Sequence, residues 1–120
     1  MPLKVKVQVL CGDEIAMGPG KADLLDAIAR EGSISGAGRA LGMSYRRAWL
    51  LVDAMNRCWH EPLVATVPGG SAAHGATVTA FGRAVLESYR AMQAGAQGIG
   101  NGPDWESLER TLLADPRARR

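Results

Sequence analysis

A pair of short helices joined by a glycine turn is predicted between residues 33 and 57, and this pair constrains the fold more than any other segment. Either Ser33 or Ser35 can cap the first helix, which ends before the tight turn at Gly42. Ser44 then caps the second helix, which runs to about Cys58. One face of the second helix has the apolar spacing of a buried stripe: Ala48, Leu51, Val52, Met55 and Trp59. This pattern is typical of a helix-turn-helix unit.

The segment before this unit predicts a hairpin and a helix. Apolar and polar residues alternate from Leu3 to Val9, which is the period of a half-buried strand, and residues 15–17 form a short returning strand. A first helix then covers roughly Lys21 to Arg30 and stops at Gly32, a residue suited to a helix C-terminus.

The segment after the unit predicts a wing. Strands at 63–67 and 76–79 enclose a glycine-rich loop, and Thr79 caps a fourth helix that runs to about Gln93. The expected fold class is mainly α with small β-hairpins, a winged helix-turn-helix with an N-terminal β-hairpin and a C-terminal helix. Residues 1–93 form this domain. Residues 94–120 form a glycine-rich linker, a short helix at 104–113 and a basic tail.

The charge of the chain is concentrated in its middle. The formal net charge is only +2, but residues 27–90 hold seven arginines against four acidic residues, which gives +3. This excess favours an anionic partner. No signal peptide or membrane span is visible, so a cytoplasmic protein with no membrane partner is expected.

The N-terminal turn of the second helix of the unit carries the residue types that read DNA. In helix-turn-helix proteins this turn meets the base edges of the major groove. Arginine binds guanine in bidentate fashion, while hydroxyl groups and helix N-terminal amides suit phosphate oxygens. A solvated basic turn is the alternative, and Trp49 could instead pack in the core. The candidate contacts are Ser44, Tyr45, Arg46, Arg47 and Trp49.

The wing loop and the remaining polar residues give weaker signals. Ser71 and His74 could reach the minor groove or a phosphate, or the loop could be a hairpin tip that contacts nothing. Cys11 and Cys58 lack metal-ligand spacing and are expected to be reduced thiols. Motifs for zinc proteases, dinucleotides, P-loops and nucleophile elbows are missing from the sequence. We therefore expect neither enzymatic activity nor a cofactor or metal.

The chain resembles the N-terminal DNA-binding domain of ModE-type molybdate-responsive transcriptional regulators, which is related to that of LysR-type regulators. The resemblance covers residues 3–93. It rests on Gly-Ser-Ile-Ser at 32–35, Ser-Tyr-Arg-Arg-Ala-Trp at 44–49, Asp-Ala-Met-Asn at 53–56 and Thr-x-Phe-Gly-Arg at 79–83. It implies a winged helix-turn-helix that dimerises on palindromic promoter DNA.

Further expectations follow from the resemblance. Ser33 and Ser35 match the start of the supporting helix, where phosphate contact is implied, and the implied dimer contacts are Leu24, Ile28, Tyr89 and Met92. Full-length members continue into molybdate-binding MOP domains, for which residues 94–120 are too short. We therefore expect a stand-alone homodimer that binds an inverted-repeat operator through residues 44–58. The alternative is an interaction module that heterodimerises with a full-length regulator.

Overall fold

Helices and two short hairpins account for most of the structure, a computed structural model that describes residues 2–67 and 75–119. The first hairpin precedes three helices, and the second hairpin separates these from the last two helices. The elements in chain order are β1 (Val9–Cys11), β2 (Glu14–Met17), α1 (Pro19–Glu31), α2 (Ile34–Ala40), α3 (Tyr45–Arg57), β3 (Val64–Thr66), β4 (Ala76–Val78), α4 (Ala80–Gln97), a 3₁₀ turn (Gly98–Asn101) and α5 (Pro103–Thr111).

Capping residues set the limits of the helix-turn-helix unit, as the sequence predicts. The Ser33 hydroxyl accepts a hydrogen bond from the Gly36 amide at 2.9 Å, so Ser33 rather than Ser35 is the cap of α2. The Ser44 hydroxyl does the same for the Arg47 amide at 3.1 Å and starts α3. Gly42 takes a φ of 70° in the turn between them, a conformation that side chains disfavour.

A single core joins α1, α3 and the two hairpins. Its largest fully buried side chains include Leu24, Leu25 and Ile28 of α1 together with Val52 and Met55 of α3. Each such side chain contributes about 1.5–3 kcal/mol of transfer free energy. The predicted stripe of α3 is confirmed, although Leu51 and Trp59 at its edges are only half-buried.

The wing is attached to both ends of the unit, at Gly32 directly before α2 and at Asn56 in the last turn of α3. Strands β3 and β4 are antiparallel with Val64 opposite Val78, and the Ala76 amide donates to the Gly32 carbonyl at the end of α1, 2.9 Å away. Thr79 caps α4 by accepting from the Gly82 amide at 2.9 Å, as predicted. The wing is thereby held beside α2 and α3.

The predicted N-terminal strand is largely wrong. Exposure does alternate from residue 3 to 9, but β1 starts only at Val9 because β2, its partner, is four residues long and is followed at once by Gly18 and α1. Side chains from α4 hold the earlier residues instead. The Tyr89 hydroxyl donates to the Val7 carbonyl at 2.7 Å, and the Gln97 amide donates to the Leu3 carbonyl at 2.9 Å.

The predicted linker is also shorter than expected. Helix α4 continues to Gln97 and is followed by the 3₁₀ turn, so the chain is helical through most of residues 94–101. Helix α5 begins at Pro103, one residue before the predicted start, and ends at Thr111, two residues before the predicted end, with Asp104 and Glu106 near its positive end. Within the described ranges, no helix is long and apolar enough to cross a membrane.

Candidate nucleic-acid interface

The N-terminal turn of α3 presents its predicted contact residues to solvent. Ser44, Tyr45, Arg46 and Arg47 are all exposed, and Trp49 retains 38% of its surface. Ala48, on the opposite face of the same turn, is fully buried in the core. The capped turn therefore presents the polar side chains outward and anchors the helix through the opposite face.

Trp49 pairs with Tyr45 instead of entering the core. The Trp49 indole N–H donates a hydrogen bond to the Tyr45 hydroxyl, and the two rings meet edge to face at a centroid separation of 6.3 Å. Because the hydroxyl oxygen accepts this bond, its own hydrogen is available to another acceptor. The pair orders two aromatic side chains on the outer surface of α3.

Ion pairing distinguishes the arginines of the middle segment. Arg57 lies between the carboxylates of Asp53 and Glu14, at 2.9 and 3.1 Å, and the hydrogen bond that it donates to Asp53 is the main reason that its pKa is raised. Arg46 and Arg47 form no ion pair within residues 2–67 and 75–119. Positive charge is thus neutralised at the C-terminal end of α3 and available at its N-terminal end.

Arg90 on α4 is neutralised in the same way. Its guanidinium lies 2.8 Å from Asp23 and 2.6 Å from Asp26 of α1, and the hydrogen bond with Asp23 raises its pKa. Arg90 counts toward the charge excess of residues 27–90, but its charge is already paired with two carboxylates. Its role in the structure is to join α4 to α1.

Lys21 of α1 is half-buried. Burial lowers the pKa of its ammonium group, against an opposite effect of the Glu14 carboxylate. Glu14 also pairs with Arg57, so the largest charge near Lys21 belongs to the neutralised end of α3.

The base of the wing meets the helix-turn-helix unit beside Tyr45. A cavity of about 50 Å³ lies between α2, α3 and the wing strands, with Ser35 and Thr66 on its walls. Ser35 is half-buried at this cavity, whereas the Ser33 hydroxyl is used as a cap. Ser71 and His74, the wing residues predicted to contact DNA, lie outside the described residues.

Two of the four predicted dimer contacts do not fit the fold. Leu24 and Ile28 have no exposed surface, because both belong to the core of the single chain. Tyr89 retains only 2% of its surface, but it forms part of the lining of an apolar groove. Met92 is 52% exposed and is the only one of the four on the surface.

Met92 borders an apolar groove of about 480 Å³ between the first hairpin and α4.

The described ranges contain no group of three histidine, cysteine or acidic side chains arranged to hold a metal ion.

A capped helix-turn-helix with an exposed basic helix end and an attached β-hairpin defines a winged helix-turn-helix domain. The known proteins with which this chain shares sequence and fold are consistent with that class. No protein-family model matches the chain.

Sequence similarity links the chain to MopB and ModE. The molybdenum-pterin-binding protein MopB of Rhodobacter capsulatus is 41% identical over 100 residues, covering 83% of this chain and 35% of MopB. The molybdenum transport protein ModE of Azotobacter vinelandii is 44% identical over 70 residues, or 58% of this chain and 26% of that protein. ModE of Escherichia coli K12, a DNA-binding transcriptional dual regulator, is 35% identical over 71 residues, or 59% and 27%. The chain is homologous to these proteins and spans about a third of their length or less.

Solved structures show the same fold. The DNA-binding domain CbnR_DBD, solved in complex with DNA, superposes with a TM-score of 0.56 over 78% of this chain and 97% of that one, at 20% identity. The full-length LysR-type regulator LysG of Corynebacterium glutamicum superposes with a TM-score of 0.52 over 83% and 31%, at 26% identity. The predicted winged helix-turn-helix fold is confirmed.

Proposed function

We propose that this chain binds double-stranded DNA as the DNA-reading domain of a transcriptional regulator. The observation that carries the proposal is the exposed N-terminal turn of α3, where Arg46 and Arg47 are held outward without an acidic partner among the described residues. Homology to ModE, and a fold shared with a domain solved on DNA, support it. The names of the relatives connect them with molybdenum, so we propose that the target genes serve molybdenum transport or use.

The geometry suggests a division of roles among the side chains. Arg46 lies beside Trp49 on the outer surface of α3, where a guanidinium can enter the major groove and bind guanine O6 and N7. The exposed Arg47 supplies positive charge for the phosphate backbone. The hydroxyl of Tyr45 accepts from Trp49 and can donate its hydrogen to a phosphate oxygen.

The regulator acts as a homodimer in this proposal. The groove beside α4 has an apolar lining that includes Phe81, Val85 and the exposed Met92, which is the surface most suited to a second copy. A two-fold dimer would place two α3 helices in major grooves about 34 Å apart, so the operator would be an inverted repeat. The same groove would equally accept a homologous full-length regulator, which is the second candidate function.

The double variant Arg46→Ala/Arg47→Ala tests the proposed DNA-reading surface. The contact of Arg46 with a guanine is worth about 1–3 kcal/mol, and loss of Arg47 also removes a phosphate contact. We therefore expect a loss of at least about tenfold in affinity for the promoter DNA of this gene and its neighbours. Mobility shift and footprinting measure it. Arg110→Ala/Arg117→Ala removes the same charge from the C-terminal region and serves as the matched control. Equal losses in the two variants would contradict the assignment.

Sedimentation of the purified chain separates the two oligomeric proposals. A stable homodimer that shifts promoter DNA without any other protein supports the homodimeric regulator. A monomer that binds DNA only after a full-length homologue is added supports the interaction module instead. Met92→Glu is expected to weaken either complex, because it places a charge on the exposed apolar border of the groove.

A further inference from the structure

Cys11 and Cys58 are far apart in sequence but both lie where the first hairpin meets the end of α3. Cys11 is the last residue of β1 and lies opposite Glu14 in the antiparallel register, so both side chains project from the same side of the hairpin. The Glu14 carboxylate reaches the Arg57 guanidinium, 3.1 Å away. The side of the hairpin that carries Cys11 therefore faces the C-terminal end of α3.

Cys58 is held against the hairpin from both directions. It is the C-cap residue of α3, directly after Arg57. On its other side, the Trp59 indole donates a hydrogen bond to the Ala16 carbonyl of β2 at 3.2 Å. Burial raises the pKa of the Cys58 thiol, and the Cys11 thiol beside it raises that pKa further. Arg57 and Trp59 both bind the hairpin, so the residue between them, Cys58, lies next to the hairpin end that carries Cys11.

The two cysteines differ in solvent exposure, which would give them different roles in oxidation. Cys11 is exposed and Cys58 is half-buried, and neither is in a disulfide. No third metal-ligating side chain joins them within residues 2–67 and 75–119, so the pair lacks the ligand set of a structural zinc site. What the pair does have is an accessible thiol with a second thiol next to it, which is the arrangement of a redox-sensitive cysteine and its resolving partner.

We propose that Cys11 and Cys58 form an oxidisable dithiol site that closes to an intramolecular disulfide with a peroxide as oxidant. The exposed Cys11 sulfur, as its thiolate, attacks one peroxide oxygen, the O–O bond breaks, and Cys11 becomes a sulfenic acid with release of water. The Cys58 sulfur then attacks the Cys11 sulfur, the S–O bond breaks, and a second water leaves. In balance, two thiols and one hydrogen peroxide give one disulfide and two waters. The disulfide would fix the first hairpin to the end of α3 opposite to its basic turn.

The test uses the full chain, reduced and then treated with one equivalent of hydrogen peroxide. We expect both thiols to disappear from a thiol titration, a monomer whose mass falls by two hydrogen atoms, and one cross-linked peptide pair containing residues 11 and 58. The oxidised chain should melt several degrees higher, because a long loop is closed in the unfolded state, and dithiothreitol should reverse the shift.

Cys11→Ser and Cys58→Ser are the matched variants. Both should melt like the reduced parent chain, and neither should gain melting temperature on oxidation. Cys58→Ser should accumulate the sulfenic acid of Cys11, which a dimedone probe traps. Oxidation to sulfinic acid without loss of hydrogen, or disulfides only between chains, would overturn the proposal. These measurements involve no DNA, so their outcome is independent of the proposed DNA binding.

Discussion

The side-chain amide of Asn56 forms two hydrogen bonds with the backbone of Val64, accepting from its N–H at 3.1 Å and donating to its carbonyl at 3.0 Å. A third bond, from the Leu63 N–H at 2.9 Å, uses the same amide oxygen. Asn56 lies in the last turn of α3, and Val64 begins the wing. One side chain therefore sets the position of the wing relative to the end of α3.

Asn56→Asp tests this attachment. The carboxylate keeps the acceptor but replaces the donor with an oxygen that faces the Val64 carbonyl, and such a mismatch in a part-buried site costs about 1–3 kcal/mol. We expect the free energy of unfolding in urea to fall by that amount. Asn101→Asp, at an exposed position of the 3₁₀ turn, is the control for the chemical change alone. Equal stabilities for the two variants would show that the Asn56 bonds carry no weight.

Local signals predicted the parts of the fold that local chemistry decides. Ser44 and Thr79 each sit one residue before an apolar-periodic run, and both cap the helices expected of them. The strand predicted from residue 3 failed because alternation reports a buried face, whereas a strand also needs a partner of equal length. Alternation from residue 3 to 9 was real, but β2 was too short to pair with it.

The candidate site was predictable only where it lies on one helix. Tyr45, Arg46 and Arg47 follow each other in sequence, so their grouping needs no tertiary information. Ser35 and Tyr45 border one cavity only because α2, α3 and the wing pack together, and no spacing in the sequence could show it. Periodicity also cannot tell whether an apolar face meets its own core or another molecule. For that reason the sequence of α1 was compatible with both a core role and a dimer role for Leu24, and the structure buries it in the core.

Gly82 of α4 lies against the backbone of Leu63, directly before the wing, and Gly82→Ala should be strongly destabilising. A Cβ there would overlap the Leu63 carbonyl oxygen and lie 3.0 Å from the Leu63 Cα, so backbone would have to move. Overpacking of this kind costs about 1–3 kcal/mol or more. Thermal unfolding followed by circular dichroism measures it.

Gly95→Ala is the matched control, since it changes the same residue type in the same helix. No heavy atom lies within 4 Å of a Cβ at that position. Alanine should therefore stabilise α4 by about 0.5–1 kcal/mol through its better helix propensity. If both variants were destabilised alike, loss of glycine flexibility rather than contact with Leu63 would be the cause.

Ser33 and Ser35 offer a second matched pair, because the same change should have different effects at the two positions. Ser33→Ala removes the cap of α2 and should lower the free energy of unfolding by about 1 kcal/mol. Ser35→Ala should leave stability nearly unchanged, since its hydroxyl lines the cavity beside Tyr45 and caps nothing. If Ser35 contacts a phosphate as predicted, its variant loses DNA affinity instead. Urea titration and mobility shift on both variants distinguish the two effects.

The two tyrosines separate stability from DNA binding. Tyr89→Phe removes a hydroxyl that donates to the Val7 carbonyl inside the fold, and it should lower the free energy of unfolding by about 0.5–1.5 kcal/mol without changing DNA affinity. Tyr45→Phe removes the exposed hydroxyl that accepts from Trp49, so stability should barely change. Affinity should fall by about twofold to tenfold, and by the same factor on specific and unrelated DNA, because a phosphate contact carries no base information. A loss confined to the specific site would instead mean that Tyr45 reads a base.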